Sequence, residues 1–139
     1  MQWLIYALLS ALFAGLVGIF GKIGMRDVDS TLATAARSVI MAIILSLLVL
    51  FRGNFGEMKN IDSRSWLFIA LAGAAGAASW LCYFRALQVG DAIRVAPIDK
   101  LSVVVTLILG VLILGEKPTV GIFCGAALIL AGSLLIVRG

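Results

Sequence analysis

Residues 103–137 read VVVTLILGVLILGEKPTVGIFCGAALILAGSLLIV, a stretch whose only charges, Glu116 and Lys117, stand side by side at a turn. A hydrocarbon core of about 30 Å is crossed by about twenty predominantly apolar residues in a helix. The apolar run behind the turn covers 119–137, and the run ahead of it reaches back to residue 92. Gly115 can end one helix and Pro118 can open the next, because glycine tolerates the left-handed stop and proline needs no N–H in a first turn. The stretch therefore predicts two helices that cross a membrane in opposite directions.

Outward from this pair, further runs of spanning length lie at 3–24, 31–51 and 66–88, so five crossings are expected. Composition agrees. The 139 residues are 63% hydrophobic and 13% charged, with a mean hydropathy of +1.16, whereas a soluble domain has about 45–50% apolar residues and about a quarter charged. The expected fold is all-α and polytopic, a bundle of five transmembrane helices in a single domain over 1–139, with the lipid bilayer as its surroundings. Met1-Gln2-Trp3-Leu4 lacks the basic region of a secretory signal, and the apolar run behind it exceeds a cleavable core, so it reads as the first span. Asp29-Ser30 and Asp62-Ser63 are expected to cap the second and third helices, and Gly90-Asp91 to stop one helix and cap the next. Only 52–65 is a connection of any size. Short connections make neighbours antiparallel and leave no room for a soluble domain.

The composition also excludes classes of function. There is no histidine, no metal-ligand spacing and no nucleophile with a base beside it, so neither an enzyme nor a metal or cofactor site is expected. Cys82 and Cys124 lie in apolar runs and read as small hydrophobes. The net charge of +4 is spread over both membrane faces, which gives nucleic acid no patch to bind. Ser10, Ala14 and Gly18, and Gly121, Gly125 and Gly132, read as helix-packing seams. Trp3 and Trp66, at span ends, read as interface anchors.

Polar residues inside the spans are the candidates for a site. Arg37 falls about 10 Å into the second span, and Asp99 and Lys100 about 12–14 Å into the fourth, at 1.5 Å per residue. Both helices start from one face, which Lys22, Arg85 and Arg94 also approach. A charge at such depth costs about 2.5–3.5 kcal/mol, which favours a partner or a water-filled cavity over lipid. Adjacent helical residues point about 100° apart, so Lys100 is a poor expected partner for Asp99 and Arg37 the better one. Pro97 is expected to bend its helix and free carbonyl groups. Asp99, Ser102 and Thr106 then share one stripe, assigned to a cavity; a buried ion pair that fixes helix register is the compatible alternative. Trp80 and Tyr83 lie three apart on one helical face, where core packing and cavity lining both fit.

The segments Ala86-Leu87-Gln88-Val89-Gly90-Asp91-Ala92, Val95-Ala96-Pro97-Ile98 and Leu112-Ile113-Leu114-Gly115-Glu116-Lys117-Pro118-Thr119 resemble the second half of an EamA-type domain of the drug/metabolite transporter superfamily. The resemblance covers the whole chain. It implies transport of a small-molecule substrate such as a metabolite, amino acid or amine, through a central cavity formed by two inverted five-span repeats, of which this chain holds one. A more distant similarity to four-span small multidrug exporters does not carry over their proton-coupled cation exchange, because the first span here has no acid.

One repeat needs a second. Lys22, Arg26, Arg85, Arg94 and Arg138 fall on one face, and Arg52, Lys59, Arg64 and Lys117 on the other. Orientation follows the excess of Lys and Arg in cytoplasmic loops, and five against four hardly commits the chain. The expectation is a metabolite transporter subunit of the bacterial inner (plasma) membrane, inserted both ways round as an antiparallel homodimer, with an anionic or zwitterionic solute. The competing reading is an accessory membrane subunit, such as part of a lipid-linked-sugar flippase or a partner of another transporter.

Overall fold

The computed structural model describes all 139 residues, and every regular element is helical: α1 (Gln2–Gly24), α2 (Ser30–Arg52), α3 (Ser63–Val89), α4 (Ala92–Asp99), α5 (Ser102–Leu114) and α6 (Val120–Arg138). The connection expected as a plain loop contains a 3-10 helix, Asn54–Asn60. With α4 and α5 taken as one interrupted span, five helices are long and apolar enough to cross a membrane. No span has more than 11% of its apolar window buried, so nearly all of this surface must be covered by lipid or by another protein chain. The chain is a multi-pass membrane protein.

Helix boundaries follow from local chemistry. Asp29 Oδ1 accepts the N–H groups of Thr31 and Leu32 at 2.9 and 3.1 Å. Asp62 Oδ2 accepts those of Arg64 and Ser65, each at 3.2 Å. These bonds satisfy donors that a helix start leaves open. The Leu32 N–H foremost, then Thr31 and the Arg85 charge, hold the Asp29 carboxyl below its usual range. The Ser65 side chain and backbone do the same for Asp62. Both caps therefore contribute fully above the ordinary carboxylate pKa of about 4 and are lost as pH falls through the lowered value. Asp91 stands at the cap of α4, but its side chain makes no capping bond; its carbonyl takes the N–H groups of Arg94 and Val95 instead.

Two glycines close helices in the left-handed region that other residues avoid. Gly53 (φ 72°) ends α2, and Gly115 (φ 68°) ends α5. The Gly110 carbonyl takes the N–H groups of both Gly115 and Glu116. Glu116 then folds back along α5, where a Cβ on Gly110 would lie 3.0 Å from its carboxylate. This is the physical basis of the Gly115-Glu116 turn.

The chain forms two compact units, residues 20–88 and residues 1–19 with 89–139. In the first, the buried residues Met25, Ser30, Thr34, Phe84 and Leu87 all lie near the end where α2 starts and α3 stops. Two hydroxyls there are satisfied by their own helix, Thr34 on Ser30 O at 2.7 Å and Ser38 on Thr34 O at 2.8 Å. Gly21 packs so tightly that an added Cβ would stand 2.6 Å from the Phe84 ring. In the second unit α6 packs against α4 and α5, and its buried positions are Gly18, Gly110, Ala126 and Ser133.

Candidate functional site

The proline interruption sets the second unit's geometry. Pro97 has no N–H, and the chain responds with tight turns: Lys100 N–H bonds to Pro97 O at 3.2 Å and Leu101 N–H to Ile98 O at 3.0 Å. The expected bend is thus a break, with α4 ending at Asp99 and α5 starting at Ser102. Ser133 of α6, which is buried, donates its hydroxyl to the Pro97 carbonyl at 2.9 Å. The Pro97 carbonyl thus accepts from both Lys100 and Ser133, and the second bond fixes α6 against the break. Nothing in the spacing of the sequence singled out Ser133.

The break also changes the expected relation of Lys100 to Asp99. Lys100 Nζ lies 3.2 Å from Asp99 Oδ2, although helical geometry would turn the two apart. They meet because Lys100 stands in the turn and not in a continuous helix. Beyond the break, Ser102 and Thr106 lie on the wall of a groove of about 770 Å³ between α5 and α6, which runs to Glu116, Lys117 and Pro118.

The first unit holds the other candidates. The Arg37 guanidinium sits over the Trp80 ring, its Cζ 3.7 Å from the ring centroid, with Phe84 at 5.2 Å. Where depth alone matched Arg37 to Asp99, its neighbours in the structure are aromatic. Trp80 and Tyr83 meet edge to face at 5.6 Å, and Phe84 is tilted against both at 5.6 and 6.1 Å. Phe84 and Met41 were missed in the sequence, although Phe84 follows Trp80 by four residues, a spacing that places both on one face. Arg37 Nη1 has only the Met41 sulfur within reach, at 3.7 Å, and its Nε is buried without a hydrogen-bond partner.

These contacts leave a chemical imbalance. A desolvated cation–π contact is worth about 2 kcal/mol, which offsets most of the roughly 2.5–3.5 kcal/mol cost of holding an arginine in a span. It does nothing for directional donors. A buried donor without an acceptor costs about 1–3 kcal/mol.

Toward the end of the unit, Lys22 Nζ donates to Leu87 O at 2.6 Å. Arg85 is exposed and donates to Gln88 Oε1 at 2.8 Å, and Gln88 Nε2 donates to Val28 O at 3.1 Å. Arg85 is therefore engaged at the end of α3, whereas Arg37 and Trp80 lie deeper in their spans. Cys82 and Cys124 are both unpaired thiols.

Comparison with known proteins bears on what such an arrangement serves. The model of the EamA-like transporter family matches residues 1–138. A Sinorhizobium sp protein named "Uncharacterized transporter in cobO 3'region" is 48% identical over 135 residues, which cover 97% of this chain and 96% of that protein. A riboflavin transporter of Brucella anthropi is 26% identical over 142 residues; these cover 99% of this chain but 50% of that protein. The chain thus spans half the length of that relative. No solved structure matches the chain. Five spanning helices, charged side chains at depth and a family match from the first residue to the next-to-last lead to one conclusion: the chain belongs to the EamA-like transporter family.

Proposed function

We propose that this chain is one half of a small-metabolite transporter of the bacterial inner membrane, which binds amino acids, organic anions or related acceptor-bearing solutes at Arg37 and works by alternating access as an antiparallel homodimer. One observation carries the reading: the Arg37 guanidinium rests on Trp80, its Nη1 meets only the Met41 sulfur, and no acid pairs with it in its unit. An arginine held in a span by an aromatic face, with donors to spare, suits a carboxylate or carbonyl oxygen. The transporter names of both relatives support the class, and the name of the second adds riboflavin to the solutes worth testing.

Uptake into proteoliposomes tests the sign of the site. Saturable uptake of amino or carboxylic acids, with a quaternary amine inert, is the expected result. The reverse pattern would remove Arg37 as the anchor.

The need for a second copy rests on the half-length match to the riboflavin transporter and on the way inverted repeats enclose a site between them near the membrane midplane. With Lys22 partly buried and engaged by the Leu87 carbonyl, Arg26, Arg85, Arg94 and Arg138 remain on one face, against Arg52, Lys59, Arg64 and Lys117 on the other. That is four against four, which gives the cytoplasmic charge rule nothing to choose by. Single cysteines in the 52–65 connection, on a background lacking Cys82 and Cys124, report the outcome in intact cells treated with an impermeant maleimide. About half of the protein should label. Complete labelling or complete protection would mean one fixed orientation, and the partner would then be parallel or a different chain.

A further inference from the structure

The surroundings of Arg37 bear on the shape of the solute as well as its charge. We infer that this site prefers planar aromatic or heteroaromatic solutes carrying a carboxylate or ring carbonyl over aliphatic acids of equal charge; the inference rests on the anchoring role proposed above for Arg37.

Two rings lie against one cation, and a third packs on both of them. Trp80, Tyr83 and Phe84 lie within 5.6–6.1 Å of one another, and Arg37 Cζ lies within 5.2 Å of two of them. Their exposure divides the roles. Phe84 is 2% exposed and serves as backing, whereas Arg37, Trp80 and Tyr83 are half-buried and present surface to an incoming molecule. A guanidinium is planar and weakly hydrated, so it stacks on π-systems while its edge donates in pairs to oxygen acceptors. Around Arg37 the Nη1 end of that edge meets only a thioether sulfur, at 3.7 Å; Nε is buried, so the terminal nitrogens are the donors a solute would use. A flat ring with oxygen acceptors uses both properties at once, the edge for hydrogen bonds and the face for stacking. An aliphatic acid uses the edge alone. Aromatic pairing beyond area burial corresponds to about a ten-fold gain in affinity.

The test is equilibrium binding to the full chain in lipid nanodiscs, with nicotinate and orotate as planar probes and cyclohexanecarboxylate and succinate as aliphatic ones. Titration calorimetry gives affinities, and tryptophan fluorescence on a Trp3→Phe/Trp66→Phe background isolates Trp80. The planar acids should bind about ten-fold tighter and quench Trp80. Trp80→Leu should bring them down to the aliphatic level, Trp80→Phe should retain most of the preference, and Arg37→Gln should weaken all four. Equal affinity of the unmodified chain for nicotinate and cyclohexanecarboxylate, both lost in Arg37→Gln, would overturn the aromatic preference and leave the anion site standing. Binding indifferent to Arg37→Gln, or no saturable binding of any probe, would overturn both readings. The ratio measured on the unmodified chain decides the matter even if a Trp80 variant fails to fold.

Discussion

Arg37→Gln should lower saturable solute uptake by about 100-fold while leaving the protein folded. The two halves of this expectation have separate causes. Hydrogen bonds to a charged partner contribute about 1.5–3 kcal/mol, and a loss of 2.7 kcal/mol is two orders of magnitude in affinity. The fold loses little, because the substitution gives up a cation–π contact of about 2 kcal/mol and in return removes the roughly 2.5–3.5 kcal/mol cost of a charge in the membrane. Arg37→Lys should fall between, since it keeps the charge but loses the planar fork and the stacking on Trp80. Uptake and melting temperature, measured on the same reconstituted samples, separate the effects. Uptake at the unmodified level, or a loss that merely tracks unfolding, would show that Arg37 is structural.

The second large effect should come from Phe84, which shares its face with Trp80 but carries no charge. Phe84→Ala removes a ring that is 2% exposed and touches Gly21, Trp80 and Arg37 at once. Core Phe→Ala changes cost about 3–5 kcal/mol. The opposing change is Gly21→Ala, whose new methyl would meet the same ring at 2.6 Å, and overpacking of this kind costs about 1–3 kcal/mol. The two are coupled through one contact, so their effects should not add. Gly21→Ala combined with Phe84→Leu should be more stable than the sum of the single losses predicts. Strict additivity in detergent melting would mean that the two residues do not share the packing described.

The sequence discloses the spans and conceals the partners. Hydropathy located the five crossings to within a few residues, because the bilayer imposes one length on every helix. The caps at Asp29 and Asp62 and the stop at Gly115 were legible because each depends on residues within one turn. Pro97 announced a distortion, yet the sequence did not show that the span would divide into α4 and α5, since the depth of a break depends on what satisfies the freed groups. Here the Lys100 N–H and the Ser133 hydroxyl, the latter thirty-six residues away, share the Pro97 carbonyl. The same reason explains the charges. Regular helical geometry turns Lys100 away from Asp99, and the break removes that geometry. Arg37 was recognised by its depth and Trp80 by its position within a span, but the contact between them joins α2 to α3, which spacing along either helix cannot reveal.

The packing of residues 20–88 has a consequence for the cell's energy supply. Met25, Phe84 and Leu87 occupy one end of this unit, and Leu87 exposes no surface at all. The Lys22 ammonium is tied to the Leu87 carbonyl, and the Gln88 amide to that of Val28. A thread of water molecules along this end would let protons hop across the membrane and discharge the gradient that powers the cell. Apolar side chains as covered as Met25, Phe84 and Leu87 offer such water no polar partner. A substitution that loosened them is therefore expected to leak protons, which a pH-sensitive dye sealed inside proteoliposomes would report.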